Sequence, residues 1–130
     1  AGFAECFVCP GNSGSFLAYA NGTLYVSQAW DKKLIELDER GAAVRDVQLE
    51  RRPVGMTIVD GAFYLATVDD AWDDGRFDRL GINDDASAIQ PLRTFPFKPR
   101  SVAFDGKRFW VADRNNHAIV SFTLLDAAPT

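Results

Sequence analysis

One histidine, one methionine and two cysteines in 130 residues leave little material for metal or redox chemistry. A single His excludes a His-rich metal centre within one copy of the chain. Two Cys are too few for a disulfide scaffold. No apolar run approaches the ~18 residues of a membrane-spanning helix. Positive charge is not in excess either: 14 Lys and Arg stand against 18 Asp and Glu, a net charge of −4. That balance excludes the phosphate-gripping mode of nucleic-acid binding. It also removes polybasic attachment to an anionic membrane. No charged segment followed by an apolar stretch occurs near Phe3, so the residues at hand hold no signal-peptide pattern. What is present is ordinary for a folded chain, 47% hydrophobic and 25% charged, at a length that suits one domain.

Cys6 and Cys9 form a C-x-x-C. A redox motif of this type wants a helix to follow, and haem attachment wants His after the second Cys. Pro10 and Gly11 follow instead, so the pair is expected to serve as inert apolar filler.

The strongest signal is an internal repeat. Residues 17–27, 56–66 and 101–112 each hold a short apolar run, an Asn-Gly or Asp-Gly, then a second apolar run. Asn21-Gly22, Asp60-Gly61 and Asp105-Gly106 can each take the positive φ angles of a type I′ turn, which predicts three tight hairpins. The third copy carries one extra residue after its Gly. The runs Leu24-Tyr25-Val26, Phe63-Tyr64-Leu65 and Phe109-Trp110-Val111 are continuous, as in strands covered on both faces. Third strands are expected at 33–38, 78–82 and 118–124, and fourth strands at 43–49 and 89–95. Pro91 suits an edge strand. The spacing of roughly 40 residues and the four-strand pattern predict an all-β chain of three four-stranded antiparallel propeller blades. Residues 15–50, 51–97 and 98–126 are blades one to three. The third lacks its own outer strand, and residues 3–9 form a closing outer strand.

Residues 109–120, Phe-Trp-Val-Ala-Asp-Arg-Asn-Asn-His-Ala-Ile-Val, resemble the core of an NHL repeat: an aromatic strand ending in Ala-Asp, an Asn-His turn, then an apolar strand. Copy one has Gln28 in place of Asp113, and copy two has Thr67. The chain as a whole is similar to the NHL-type and lactonase-like (SMP-30/gluconolactonase) six-bladed propellers. Three blades leave apolar faces open at both ends. The resemblance to six-bladed rings therefore implies a head-to-tail homodimer, with residues 3–8 of one chain completing the last blade of the other. A piece of a longer propeller is the competing expectation.

In the resembling families the ligand face gathers the inter-blade connections and the loops between second and third strands. Here that face is expected to collect Trp30, Asp31, Arg51, Arg52, Trp72, Arg100, Asn116 and His117 as candidate ligand-binding residues. Trp30 and Trp72 lie in matching Ala-Trp-Asp loops, as binding anchors or as packing over the neighbouring blade. Asp69, Asp70, Asp73 and Asp74 fail the EF-hand spacing but leave a looser Ca²⁺ site as a candidate. Asp113 is expected to tie its own turn.

Two functions follow as expectations. The first is a non-catalytic binding or assembly module for a peptide, protein or small polar ligand. The alternative is a metal-dependent lactonase-like hydrolase with its site at the propeller axis. The resembling enzymes hold their ion with a Glu, an Asn and an Asp. No Glu stands at Phe16, Gly55 or Ser101, where the first strands begin, which leaves Asn12 with Asp69 or Asp113. No catalytic residue is assigned, and no G-x-S-x-G nucleophile elbow occurs.

Overall fold

A computed structural model describes residues 2–4, 6–12 and 14–124. Eleven strands run in chain order: β1 Phe16–Ala20, β2 Thr23–Gln28, β3 Lys33–Leu37, β4 Ala43–Gln48, β5 Arg52–Val59, β6 Ala62–Val68, β7 Gly75–Gly81, β8 Gln90–Phe95, β9 Pro99–Phe104, β10 Phe109–Asp113 and β11 Ala118–Phe122. They form two four-stranded meanders, β1-β2-β3-β4 and β5-β6-β7-β8, and a three-stranded one, β9-β10-β11. Every pairing is antiparallel. No α-helix occurs among the described residues, and none is long and apolar enough to cross a membrane.

The turns follow from local chemistry. Asn21 and Gly22 have φ of 51° and 80°, and Asp60 and Gly61 have 47° and 77°. These are the two-residue type I′ hairpins that Asn-Gly and Asp-Gly encode. The third turn departs from the expectation. Only Gly106 is left-handed, at φ 100°, and the loop spans four residues. The inserted residue lengthens the turn. The Asp105 carboxylate then closes it by accepting from the Lys107 and Arg108 amides, both at 2.8 Å.

Sheet register assigns each side chain to a face. The first sheet turns Tyr25 and Leu34 toward the second, where Phe63, Leu65, Leu80 and Met56 meet them. The second sheet turns Tyr64, Ala66 and Phe77 toward Phe109, Val111 and Phe122 of the third. Inner strands pack so closely that a β-carbon at Gly55 would lie 2.5 Å from the Ser101 carbonyl carbon. Ser101 itself bulges out of the β9–β10 ladder at φ 61°.

All seven residues of β6 are buried, as its continuous apolar run implied. In contrast, β10 alternates. Phe109 and Val111 are buried while Trp110 is 39% exposed. The expectation of two covered faces fails there because, among the described residues, no sheet lies beyond the third.

The segment expected as a closing outer strand, residues 3–9, includes Glu5, which lies outside the described residues, as do residues 125–126 of the expected third blade. The described residues of the segment pair with no strand in the single chain. Phe7 instead lies over the open face of the first sheet, against Val26, Ile35 and Leu37 and so close to Gly41 that no β-carbon fits there. Cys6 and Cys9 are unbonded and exposed, not the buried filler expected, because their segment has no sheet of its own to face.

Candidate functional site

The ends of β2, β6 and β10 reach one rim of the structure together with the connections between sheets. Each of these strands carries a buried polar residue at or next to its end: Gln28, Thr67 or Asp113. Each ties the rim differently. Gln28 Nε2 donates to the Pro10 carbonyl at 2.8 Å. Thr67 Oγ1 accepts from Arg51 Nε at 2.9 Å. Asp113 accepts from the amides of Asn115 and Asn116 and from the Asn116 side chain, at 2.8–3.1 Å. Those bonds, the Asn116 side chain first, hold its pKa below the usual carboxylate value.

The rim brings Trp30, Arg52 and Trp72 together. The indole rings stack with centroids 6.2 Å apart. The Arg52 guanidinium lies 5.4 Å from one ring centroid and 4.8 Å from the other. Its Nη1 donates to the carbonyls of Ala29 (3.2 Å) and Trp30 (2.7 Å). Asp70 lies 3.8 Å from its Nη2 and bonds Lys32 Nζ at 3.0 Å. Trp72 adopts φ 62° and packs its ring against the core between the second and third sheets. Trp30 stays 71% exposed. Cation–π attraction and the backbone carbonyls thus fix one broad aromatic face toward solvent.

The other expected binding residues are distributed around this cluster. Asp31 is exposed beside Trp30. Arg51 is spent on Thr67 and on the Asp74 carbonyl, at 2.5 Å. Arg100 lies exposed on β9. Asn116 and His117 are exposed in the four-residue turn before β11, where His117 takes φ 53°. None of these last three makes a hydrogen bond, ion pair or ring contact with the two Trp.

The four carboxylates proposed for Ca²⁺ separate. Asp69 accepts from the Asp73 amide at 2.9 Å, the bond that most lowers its pKa. Asp70 pairs with Lys32 and Arg52, and Asp73 lies 3.7 Å from Lys98 Nζ. Asp74 presents its backbone carbonyl to Arg51. Among the described residues no three His, Cys, Asp or Glu side chains gather into a metal-holding group.

Sequence reasoning missed a buried network on the second sheet. Asp78 is 1% exposed and lies between Phe77 and Arg79 on β7. Arg76 grips it with two bonds, 2.6 and 3.0 Å, and Thr67 Oγ1 donates at 3.1 Å. Arg51 approaches from the connection, its pKa lowered by burial first and by Arg76 second. A cavity of about 510 Å³ between the first two sheets borders these groups. Arg51, Arg76 and Asp78 in its lining are occupied in internal bonds, whereas the Trp30 face is free. Register could have flagged Asp78, since it occupies the position of Ile35 in β3 and Val120 in β11.

Comparison with known proteins agrees with this geometry. The NHL repeat family matches residues 98–122, the third sheet. No curated protein sequence matches the chain. Among solved structures, BamB from Moraxella catarrhalis is similar, with a TM-score of 0.55 at 15% identity. The match covers 92% of this chain and 35% of that one, so the chain spans about a third of BamB's length. The computationally designed Ika4 protein is similar with a TM-score of 0.51 at 10% identity, over 93% of this chain and 98% of that one. A nidogen/laminin complex contains a chain similar with a TM-score of 0.52 at 10% identity, over 85% and 59%. The three sheets have the form of β-propeller blades, and the third matches the NHL repeat family.

Proposed function

We propose that this chain is a non-catalytic binding and assembly module, half of a six-bladed ring closed head to tail by a second copy. Its loop rim presents Trp30, Arg52 and Trp72 to an extended protein segment. The observation that carries the reading is the Trp30 ring, exposed yet fixed by stacking on Trp72 and by the Arg52 guanidinium. Large aromatics and Arg dominate binding energy at protein interfaces, and a fixed ring loses little entropy on binding. Asp70 and Lys32 supply a polar edge that orients a peptide backbone. A chain in the nidogen/laminin complex, similar in fold, works within a protein–protein assembly, which suits this reading.

The test is selection of phage-displayed random peptides on the folded chain, with counter-selection on Trp30→Ala. Peptides that bind the native chain and lose at least tenfold affinity for the variant support the module. Trp30 is exposed, so the variant should keep the native far-UV spectrum and unfolding midpoint. Selected peptides that bind both proteins equally would move the binding face elsewhere.

A further inference from the structure

We infer that a second copy docks its first sheet onto the open face of the third, through Trp110 and Ile119 on one side and Leu17 and Tyr19 on the other, and adds residues 6–9 beside β11. The inference rests on the ring reading and gives its seam residue by residue.

Two internal seams use the same positions, which are exposed at Trp110 and Ile119 on the third sheet and at Leu17 and Tyr19 on the first. Cross-strand register makes Tyr25, Tyr64 and Trp110 equivalent, on the forward face of each sheet. Tyr25 is 5% exposed and meets Phe63 of the next sheet edge-on at 5.2 Å. Tyr64 is 7% exposed and meets Phe109 at 4.8 Å. Trp110 has no following sheet and is 39% exposed. The position of Phe63 and Phe109 is held in β2 by Leu24, so Trp110 would meet Leu24 of the second copy. Leu34 and Phe77, buried at 2% and 0%, correspond to Ile119, which is 74% exposed.

The receiving face repeats in the same way. Met56 (4% exposed) and Val102 (8%) correspond to Leu17, which is 64% exposed, and Tyr19 beside it is 70% exposed. The rear face of the first sheet and the forward face of the third are thus the two halves of a seam already built twice within the chain.

The outer strand follows the same logic. On β4, Arg45 reaches the β7–β8 loop of the next sheet, at the carbonyls of Ile82 and Asp84. On β8, Arg93 lies 5.1 Å over the Phe122 ring of the next sheet. Phe7 lies on Gly41 in the β3–β4 loop in the corresponding way. Residues 6–9 therefore sit where the outer strand of a preceding blade would sit. The third sheet is the one that lacks an outer strand, and its β11 edge is unpaired among the described residues. An edge strand and a bare apolar face side by side favour strand addition by another blade.

The test is the solution mass by light scattering after size exclusion, for the native chain, Ile119→Lys, Leu17→Glu, and an equimolar mixture of the two variants. The native chain should run near twice 14.3 kDa, and each variant alone near 14.3 kDa. The mixture should return to the dimer, since one of its seams is native and the other pairs Lys with Glu. Both positions are exposed in the single chain, so far-UV spectra should be native-like. Trp110 fluorescence should shift to shorter wavelength on dimerisation, read against Trp110→Phe. A native chain that stays monomeric at 200 µM overturns both the seam and the ring. A dimer that persists in both variants overturns this seam while the two-copy reading stands. Trp30→Ala should remain dimeric, which separates the seam from the loop-rim site.

Discussion

A buried carboxylate in the middle of a strand needs a reason at every atom, and Asp78 has one: two Arg76 nitrogens and the Thr67 hydroxyl occupy its oxygens. Removing one partner of such a pair leaves an uncompensated buried charge, which costs about 3–5 kcal/mol. Arg76→Ala strands the Asp78 carboxylate and should therefore lower the urea midpoint by a comparable stability. The third blade shows the apolar solution, with Val120 and Ala118 in the places of Asp78 and Arg76. Installing that pair, Asp78→Val with Arg76→Ala, should recover most of the loss, and a double variant as unstable as Arg76→Ala alone would refute the account. Gly55 is a second sensitive point. A β-carbon there meets the Ser101 backbone, which cannot move aside as a side chain can. Gly55→Val should cost about 1–3 kcal/mol, the usual range for overpacking, by the same urea measurement. Neither position was singled out from the sequence. Asp78 reads as an ordinary polar residue of an alternating strand until register pairs it with Leu65, and Gly55 acquires its constraint from a strand in a different sheet. Trp30 and Trp72 were legible because a large aromatic between Ala and Asp stands out. Arg52, whose guanidinium fixes them, was gathered only as one cation of the rim, because its position between the rings is a tertiary fact.

At the scale of strands and turns the sequence was far more transparent. Asn21-Gly22 and Asp60-Gly61 fix two hairpins through backbone conformations that few other pairs adopt, and the strands flanking them fall close to where the apolar runs begin and end. The Asp105-Gly106 turn differs because one added residue makes carboxylate capping available in place of a left-handed pair. Such capping recurs. Asp69, Asp85, Asp105 and Asp113 all have lowered pKa values, led respectively by the Asp73 amide, the Ser87 hydroxyl, the Arg108 amide and the Asn116 side chain. A carboxylate with a lower pKa folded than unfolded contributes stability that is present above the unfolded value, about 3.9. That contribution disappears as pH falls through the folded value. Stability should thus hold from pH 7 to about 5 and fall below about 4, as followed by urea midpoints across that range. Asp105→Asn and Asp113→Asn should each make the acid loss shallower. A variant with the native acid slope would remove its turn from the account.

For the whole molecule, the difference between middle and ends decides where it opens first. The second blade is covered on both sides, and all of β6 is buried. The first and third blades each have one covered face and one bearing exposed Leu17 and Tyr19, or Trp110 and Ile119. The repeat made the blades legible in sequence. It did not indicate that Phe7 would cover part of the first blade in a single chain, because the Phe7–Gly41 contact joins residues that no repeat alignment pairs. Local opening follows coverage, so backbone amides of β6 should exchange hydrogen slowest, and those of β1 and β11 fastest. Mass-spectrometric hydrogen exchange at 1 µM should show that order. At 200 µM a closed ring would protect β11 and β1 by mass action while leaving β6 unchanged, because binding stabilises only the states that can bind. Uniform exchange across the three blades at low concentration would mean that they open as one unit, and the ends would then be no weaker than the middle.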